Sequence, residues 1–423
     1  MPSTQPDSDT PDSDTGGSAR SPFPLSAWYL HRFVSEFVLI YPTYLIMMEQ
    51  SGVAPAELGL LLMLWSATLL IFELPSGVLG DLFPRKRVIM AGGCVQALAF
   101  FTWLAMPSFW GFAVGFAIWS IGISLASGTS EAYLFEALGG EADFEKVYGR
   151  TEAVESLGIA AALLCGGFAA SNGFTVPLVA SLLAPLAGVL IMLIWLPDIP
   201  LSTDSRGHPW QDFRRTFRRT FVSGTRTIFN RPVLRFLILA AATLGAIAGV
   251  YEEYVGVFLV SHGFTLAEVG LIYAGVWLSR TVGSFFANRL AGRNLLTPLV
   301  IFTLSGLLLS ITGLLDSLIL MLLALFLYFG QSGTLDVVYG AALQRRVEDH
   351  HRATITSYMS MSLETIAALY FLLFGFLGAA WGWHAALTVG AGTGVILSLV
   401  WCARYIHHRP MLTQRAQQPG TKP

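Results

Sequence analysis

Glu73-Leu-Pro-Ser-Gly-Val-Leu-Gly-Asp-Leu-Phe-Pro-Arg-Lys-Arg87 ends one apolar stretch and, after three consecutive bases, opens the next. The flanking stretches, 57–80 and 88–106, are each long enough to cross a bilayer as a helix, which takes ~20 mostly apolar residues. Reading outward in both directions gives further stretches of this kind. The spans fall at 26–48, 57–80, 88–106, 109–137, 147–171, 174–196, 235–260, 267–290, 295–315, 318–343, 353–378 and 382–406. With the amino terminus placed inside, no outward-facing loop holds a Lys or Arg, and only Arg32 and Arg280 lie deep within spans. Short cytoplasmic loops retain Lys and Arg in this way, so the bias orients the chain with both termini cytoplasmic. The expectation is an all-α, multi-pass protein of the cytoplasmic (inner) membrane.

Composition agrees. The chain is 54% hydrophobic and 12% charged, against ~25% charged in soluble domains. A net charge of −2 gives no reason to expect a nucleic-acid partner. Cys94, Cys165 and Cys402 have neither disulfide nor metal-ligand spacing. Residues 1–25 and 408–423 are polar and read as disordered tails, and the first lacks the basic start and apolar core of a signal peptide. Residues 197–234 form a basic linker. Within it, Phe213, Phe217 and Phe221 recur every four residues between arginine pairs, which suits a helix lying on anionic lipid; a solvated basic linker is the plainer alternative.

The chain repeats itself. Gly52-Val-Ala-Pro-Ala-Glu-Leu-Gly-Leu60 aligns with Gly263-Phe-Thr-Leu-Ala-Glu-Val-Gly-Leu271, an offset of 211. Ser127-Gly-Thr-Ser-Glu131 aligns with Ser332-Gly-Thr-Leu-Asp336, an offset of 205. Two matches in the same order at nearly one offset indicate duplication. The expected units are therefore a bundle of six helices at 26–196 and a second at 235–407. Parallel repeats of this kind are a transporter architecture.

With that topology, the 73–87 segment resembles the loop signature between helices 2 and 3 of the major facilitator superfamily. Gly77, Asp81, Arg85 and Lys86 match it; Leu82 and Pro84 depart from it. The Glu-Leu-Pro-Ser-Gly and Ser-Gly-Thr-Ser-Glu-Ala segments resemble bacterial drug-exporter-like members. The resemblance implies the major facilitator fold, twelve helices in two six-helix bundles rocking around a midplane cavity. It also implies a gating motif of Glu73, Gly77, Asp81, Arg85 and Lys86, in which Gly77 admits a close neighbour, Asp81 caps a neighbouring helix or pairs with a basic group, and the loop latches the halves on the inside; the plainer alternative is that Arg85, Lys86 and Arg87 only fix topology. No arginine occurs in Gly115–Ser124 and no proline in Gly158–Gly167, so the helix 4 arginine and helix 5 Gly-Pro of many coupled exporters are missing.

A carboxylate at mid-bilayer costs at least ~2.5–3.5 kcal/mol, so such residues face a partner or a cavity. Glu36 follows Arg32 by four residues on one helix face, as either an internal ion pair or an exchangeable site. Glu252 and Glu253 are adjacent, and a carboxylate out of water beside another holds a proton more readily. Glu131 and Asp336 occupy matched places, with Arg150 and Arg352 as matched inner-gate partners. Glu364 lies near mid-membrane, and Arg280 either neutralises a carboxylate or binds an anionic substrate. These residues are the coupling candidates, with Glu36, Glu252 and Glu253 foremost.

No phosphate-cradling Gly-x-x-x-x-Gly-Lys loop occurs, and Gly330-Gln-Ser-Gly-Thr334 misses the nucleophile elbow of hydrolases. An enzyme is not expected, nor any metal or cofactor other than the proton gradient. The first expectation is proton-coupled export of a small drug-like or cationic compound. Proton-linked uptake is the second, and a non-transporting receptor on the same fold the third. The expected partners are a small-molecule substrate, protons and membrane lipids, and the expected state is a monomer.

Overall fold

The repeated Gly-x-x-x-Ala-Glu-x-Gly-Leu motif builds the same corner twice. The computed structural model describes residues 23–140, 144–199, 228, 230–289, 295–315, 317–346 and 352–413. Its helices are α1 (Leu25–Ser35), α2 (Tyr44–Gln50), α3 (Pro55–Leu82), α4 (Arg85–Ala105), α5 (Phe109–Leu138), α6 (Phe144–Ala170) and α7 (Thr175–Trp195) in the first half. The second half has α8 (Pro232–Ser261), α9 (Leu266–Phe286), α10 (Leu296–Leu314), α11 (Leu318–Gln344) and α12 (Arg352–Thr413). In each motif the first glycine, Gly52 at φ 91° or Gly263 at φ 84°, takes the left-handed conformation that turns the chain after a helix. The glutamate then caps the next helix. Glu57 accepts the Ala54 N–H at 2.8 Å, and Glu268 accepts the Thr265 N–H at 2.8 Å.

The last motif glycine joins the halves. A Cβ on Gly59 of α3 would lie 2.7 Å from the Phe371 carbonyl and 3.0 Å from Gly375 Cα of α12. A Cβ on Gly270 of α9 would lie 2.7 Å from Gly167 Cα of α6. Gly59 and Gly270 match in the repeat, and so do their partners, since 375 − 167 gives 208, between the two repeat offsets. Helices in lipid gain most from small residues that let backbones touch. These two seams sit at the end bearing the Gly52 and Gly263 turns, termed the outer end below. Trp383 Nε1 adds a third tie there, donating to Glu49 Oε1 at 2.9 Å.

Ten helices among the described residues are long and apolar enough to cross a membrane. α12 crosses twice. Its 62 residues would run about 93 Å if straight, three times the hydrocarbon thickness. Gly382, at φ 79° and ψ 166°, folds it back. The Tyr370 and Thr393 hydroxyls bond between the two arms. With α1 and α2 as one crossing, the count is twelve. Side chains such as Phe285, Leu314 and Ile319, at 75%, 77% and 75% exposure, form the outward apolar surface that lipid covers.

The first crossing differs from the expectation of one helix over 26–48. Helix α1 stops at Ser35 and α2 begins at Tyr44. Pro42 cannot donate to a helical ladder, and its ring excludes the preceding turn. A neighbour takes up one of the freed groups. The Ile40 N–H donates to Ser181 Oγ of α7 at 2.9 Å. Non-helical backbone survives at membrane depth only when protein satisfies it in this way. The 197–234 linker lies almost wholly outside the described residues, as do the tails except residues 23–25 and 408–413.

Among the described residues, the hydrogen bonds and glycine contacts that cross between the halves lie toward the outer end. At mid-span Arg280 and Asp336 keep side-chain exposures of 35% and 43%. Among the described residues the ties between the halves thus gather at the outer end, and Arg280 and Asp336 stay accessible on the side toward the basic end. Gly167→Val and Gly270→Val should each force the outer seam apart. Spin labels at Ser51→Cys and Ser261→Cys, in a background lacking the native cysteines, should report a longer distance than in the parent. An unchanged distance would show that the glycine seam does not hold the outer end shut.

Candidate functional site

Three carboxylate clusters occupy the membrane interior, each handled differently. In the second half, α8 brings Glu252 and Glu253 side by side, 6% and 9% exposed. Adjacent helix positions diverge by ~100°, so the two face different partners. Glu252 accepts from Arg280 Nη1 of α9 at 3.2 Å, and Arg280 Nη2 donates to Asp336 Oδ2 of α11 at 2.8 Å. One guanidinium thereby bridges two carboxylates on two further helices. Its fork geometry suits this role. Tyr273 of α9 stiffens the corner: its hydroxyl donates to the Glu252 carbonyl at 2.7 Å and accepts from the Gly256 N–H at 3.1 Å.

Glu253 faces the other half. Tyr41 Oη donates to it at 2.9 Å, and Tyr44 Oη donates to its second oxygen. Both tyrosines come from the interruption in the first crossing, so the break in α1–α2 aims them. Tyr44 is held by an aromatic box in its own half, stacked on Trp103 at 6.0 Å and edge-on to Phe116 and Trp119. Among the described residues Glu253 has no ion-pair partner. It is a buried carboxylate held by phenols alone.

The third cluster lies in the first half. Arg32 of α1 pairs with Glu155 of α6 and reaches Ser130 Oγ of α5 at 3.5 Å. This corrects the Arg32–Glu36 pairing. Helix α1 ends at Ser35, and Glu36 is the capping residue just beyond it, so the regular four-residue spacing stops short of Glu36. The pairing of Glu131 and Asp336 with Arg150 and Arg352 also needs correction. Asp336 pairs with Arg280, while Glu131 and Arg150 are exposed and form no ion pair among the described residues. The Arg352 side chain lies outside the description. The Glu364 carboxylate, with Oε2 buried, lies beside the Ser66 hydroxyl of α3 in the other half.

Two cations of the motif loop have partners in their own half. Arg85 Nε pairs with Glu136 Oε2 at 3.1 Å near the end of α5. Lys86, 6% exposed, donates to the Leu196 carbonyl at 2.7 Å and lies 3.7 Å from Asp198 Oδ1. Cations belong at helix C-termini, where carbonyls lack partners and the dipole is negative. The close approach expected at Gly77 occurs one turn on. Gly77 has open space around it, whereas a Cβ on Gly80 would lie 2.7 Å from Thr129 Oγ1. Glu73 is half-buried on the same helix, and the Asp81 side chain lies outside the description.

The sequence also matches the family model described as Major Facilitator Superfamily over residues 32–330. The chain belongs to the major facilitator superfamily. It is therefore a multi-pass membrane transporter for a small molecule, not an enzyme. No protein among the curated ones matches it significantly. Solved structures of similar fold include a mutant form of the nucleoside transporter NupG, with a TM-score of 0.73 at 14% identity over 90% of this chain and 98% of that one. A D-xylose-proton symporter gives 0.70 at 13% identity over 89% and 95%. A bacterial homolog of the human lysosomal transporter Spinster, inward-facing and occupied, gives 0.70 at 14% over 91% and 95%. At such identities the likeness is one of fold.

Sequence reasoning passed over Tyr41, Tyr44 and Tyr273. A signal for the first two was present, because Tyr41-Pro42 inside an apolar span marks an interruption, and polar tips beside a break face inward. Removing one partner from a buried charge network leaves the others uncompensated, at ~3–5 kcal/mol, with the half-exposed Asp336 drawing this toward the low end. Arg280→Met should lower the thermal midpoint of purified protein. Adding Glu252→Gln and Asp336→Asn should restore much of it. A triple variant no more stable than Arg280→Met would mean that Arg280 acts by packing and not by charge.

Proposed function

We propose that this major facilitator is a proton-coupled exporter of small organic cations in the cytoplasmic membrane, monomeric, with both termini cytoplasmic and the basic linker on anionic lipid. The observation that carries this reading is Glu253, buried without a cationic partner among the described residues and clasped by two phenols from the opposite half. Opening the outer end parts the halves and takes both donors from the carboxylate. An unsatisfied buried charge is costly, so a proton from outside compensates for the loss. Reclosing returns the phenols, which favour the charged form, and expels the proton. The path inward runs from Glu253 to its neighbour Glu252 and through the Arg280 network to Asp336 at the open mouth.

Charge balance supports a cationic substrate. Among the described residues of the second half, Arg280 pairs with Glu252 and Asp336, and Glu253 adds a third carboxylate with no base of its own. The excess negative charge attracts a cation while the basic end is open. Protonation of Glu253 in the outward state then weakens that cation's hold. Export by exchange follows from this alternation.

The reading is tested in inside-out vesicles acidified by respiration and loaded with a pH dye. Adding members of a panel of organic cations, sugars, amino acids and organic acids should alkalinise the interior only for a cationic compound. Glu253→Gln should abolish that response, and Tyr44→Phe should reduce it severalfold. Alkalinisation that persists in Glu253→Gln would remove Glu253 as the proton carrier. A response to neutral or anionic compounds alone would overturn the cation assignment.

A further inference from the structure

At the outer end two histidine rings meet, His262 Nε2 lying 3.1 Å from His384 Nδ1. His262 follows α8, and His384 stands two residues past the Gly382 fold in α12. His262 Nδ1 lies 2.9 Å from the Phe258 carbonyl, and His384 Nε2 lies 3.0 Å from the Gly313 carbonyl at the end of α10. A carbonyl only accepts, so each of these nitrogens carries the ring's N–H. Ser261 Oγ, 3.2 Å from His262 Nδ1, does not supply that proton, because its own hydrogen goes to the Phe258 carbonyl at 2.7 Å. With both rings neutral, the form that binds metal, the remaining nitrogens, His262 Nε2 and His384 Nδ1, hold lone pairs. They face one another at 3.1 Å.

Two lone pairs at that distance repel unless an electrophile bridges them. The surroundings are those of metal-ligating histidines, whose second N–H rests on a backbone carbonyl that fixes tautomer and ring angle. Tetrahedral zinc bonds imidazole nitrogen at ~2.0–2.1 Å, which sets its two ligand nitrogens about 3.3 Å apart. The observed gap needs only a small opening. Both rings are half-buried and Ser261 beside them is exposed, so water can reach the remaining coordination positions.

We propose that His262 and His384 form an outward-facing site for a divalent transition metal of the zinc type, completed by water. Imidazole suits such metals, whereas calcium and magnesium require oxygen ligands. The metal staples the end of α8 to the start of the last crossing. His384 adjoins Trp383, which holds Glu49 of the other half, so an occupied site also steadies the closed outer end. The inference is independent of the proton and of the transported solute.

The test uses the purified full-length protein in detergent, without a polyhistidine tag. Zinc chloride is titrated against the thermal midpoint, and cobalt absorption reports coordination. The wild type should show a midpoint that rises with zinc, and the rise should disappear in His262→Gln and in His384→Gln. It should persist in a His407→Gln, His408→Gln control. The zinc-dependent shift is compared within each variant, so altered basal stability does not affect the reading. No shift up to millimolar zinc would overturn the proposal and leave a shared proton as the bridge. A shift that survives both single substitutions would overturn it by placing zinc elsewhere.

Discussion

Backbone contact between glycines of opposite halves is the constraint from which the rest of the structure follows. Gly59 on Gly375 and Gly167 on Gly270 bring main chains together where no side chain fits. Lipid offers no hydrophobic drive for helix association, so close packing has to supply it. Because the two seams are repeat-related, they close the outer end evenly. That closure brings Tyr41 and Tyr44 onto Glu253 and leaves Arg280 and Asp336 partly exposed.

The interior acids then divide by partner. Glu155 and Glu252 each pair with an arginine of their own half, and these pairs survive any rigid rocking of the bundles. Glu253 has its partners in the other half, and rocking must remove them. Its environment is therefore tied to conformation, while theirs is not. Arg85 and Lys86 bind within one bundle and set its internal geometry.

Much of this was legible in the residues. The span count and the duplication followed from apolar length and offset, and that Glu252, Glu253, Arg280 and Asp336 would be held by polar partners followed from the cost of buried charge. The partners were not legible, for a physical reason. Helix spacing along one chain places Glu36 near Arg32, but tertiary packing placed Glu155 nearer, because α1 ends just short of the residue where the spacing would have mattered. The matched Glu131 and Asp336 diverged for a similar reason. A single arginine on α9 serves Asp336, and the described residues hold no counterpart for Glu131. Tyr41 and Tyr44 required recognition that Pro42 breaks a span, which hydropathy alone does not show.

Gly382 has a mechanical consequence. A single residue of non-helical backbone separates two membrane crossings. Such a corner holds no spare chain, so the two arms turn together and carry Trp383 and His384 with them. The other outer connections have several residues to absorb a displacement. An epitope inserted at this corner would have to unwind a helix to fit. For mapping exposure or attaching a reporter on that face, it is the least forgiving place in the chain.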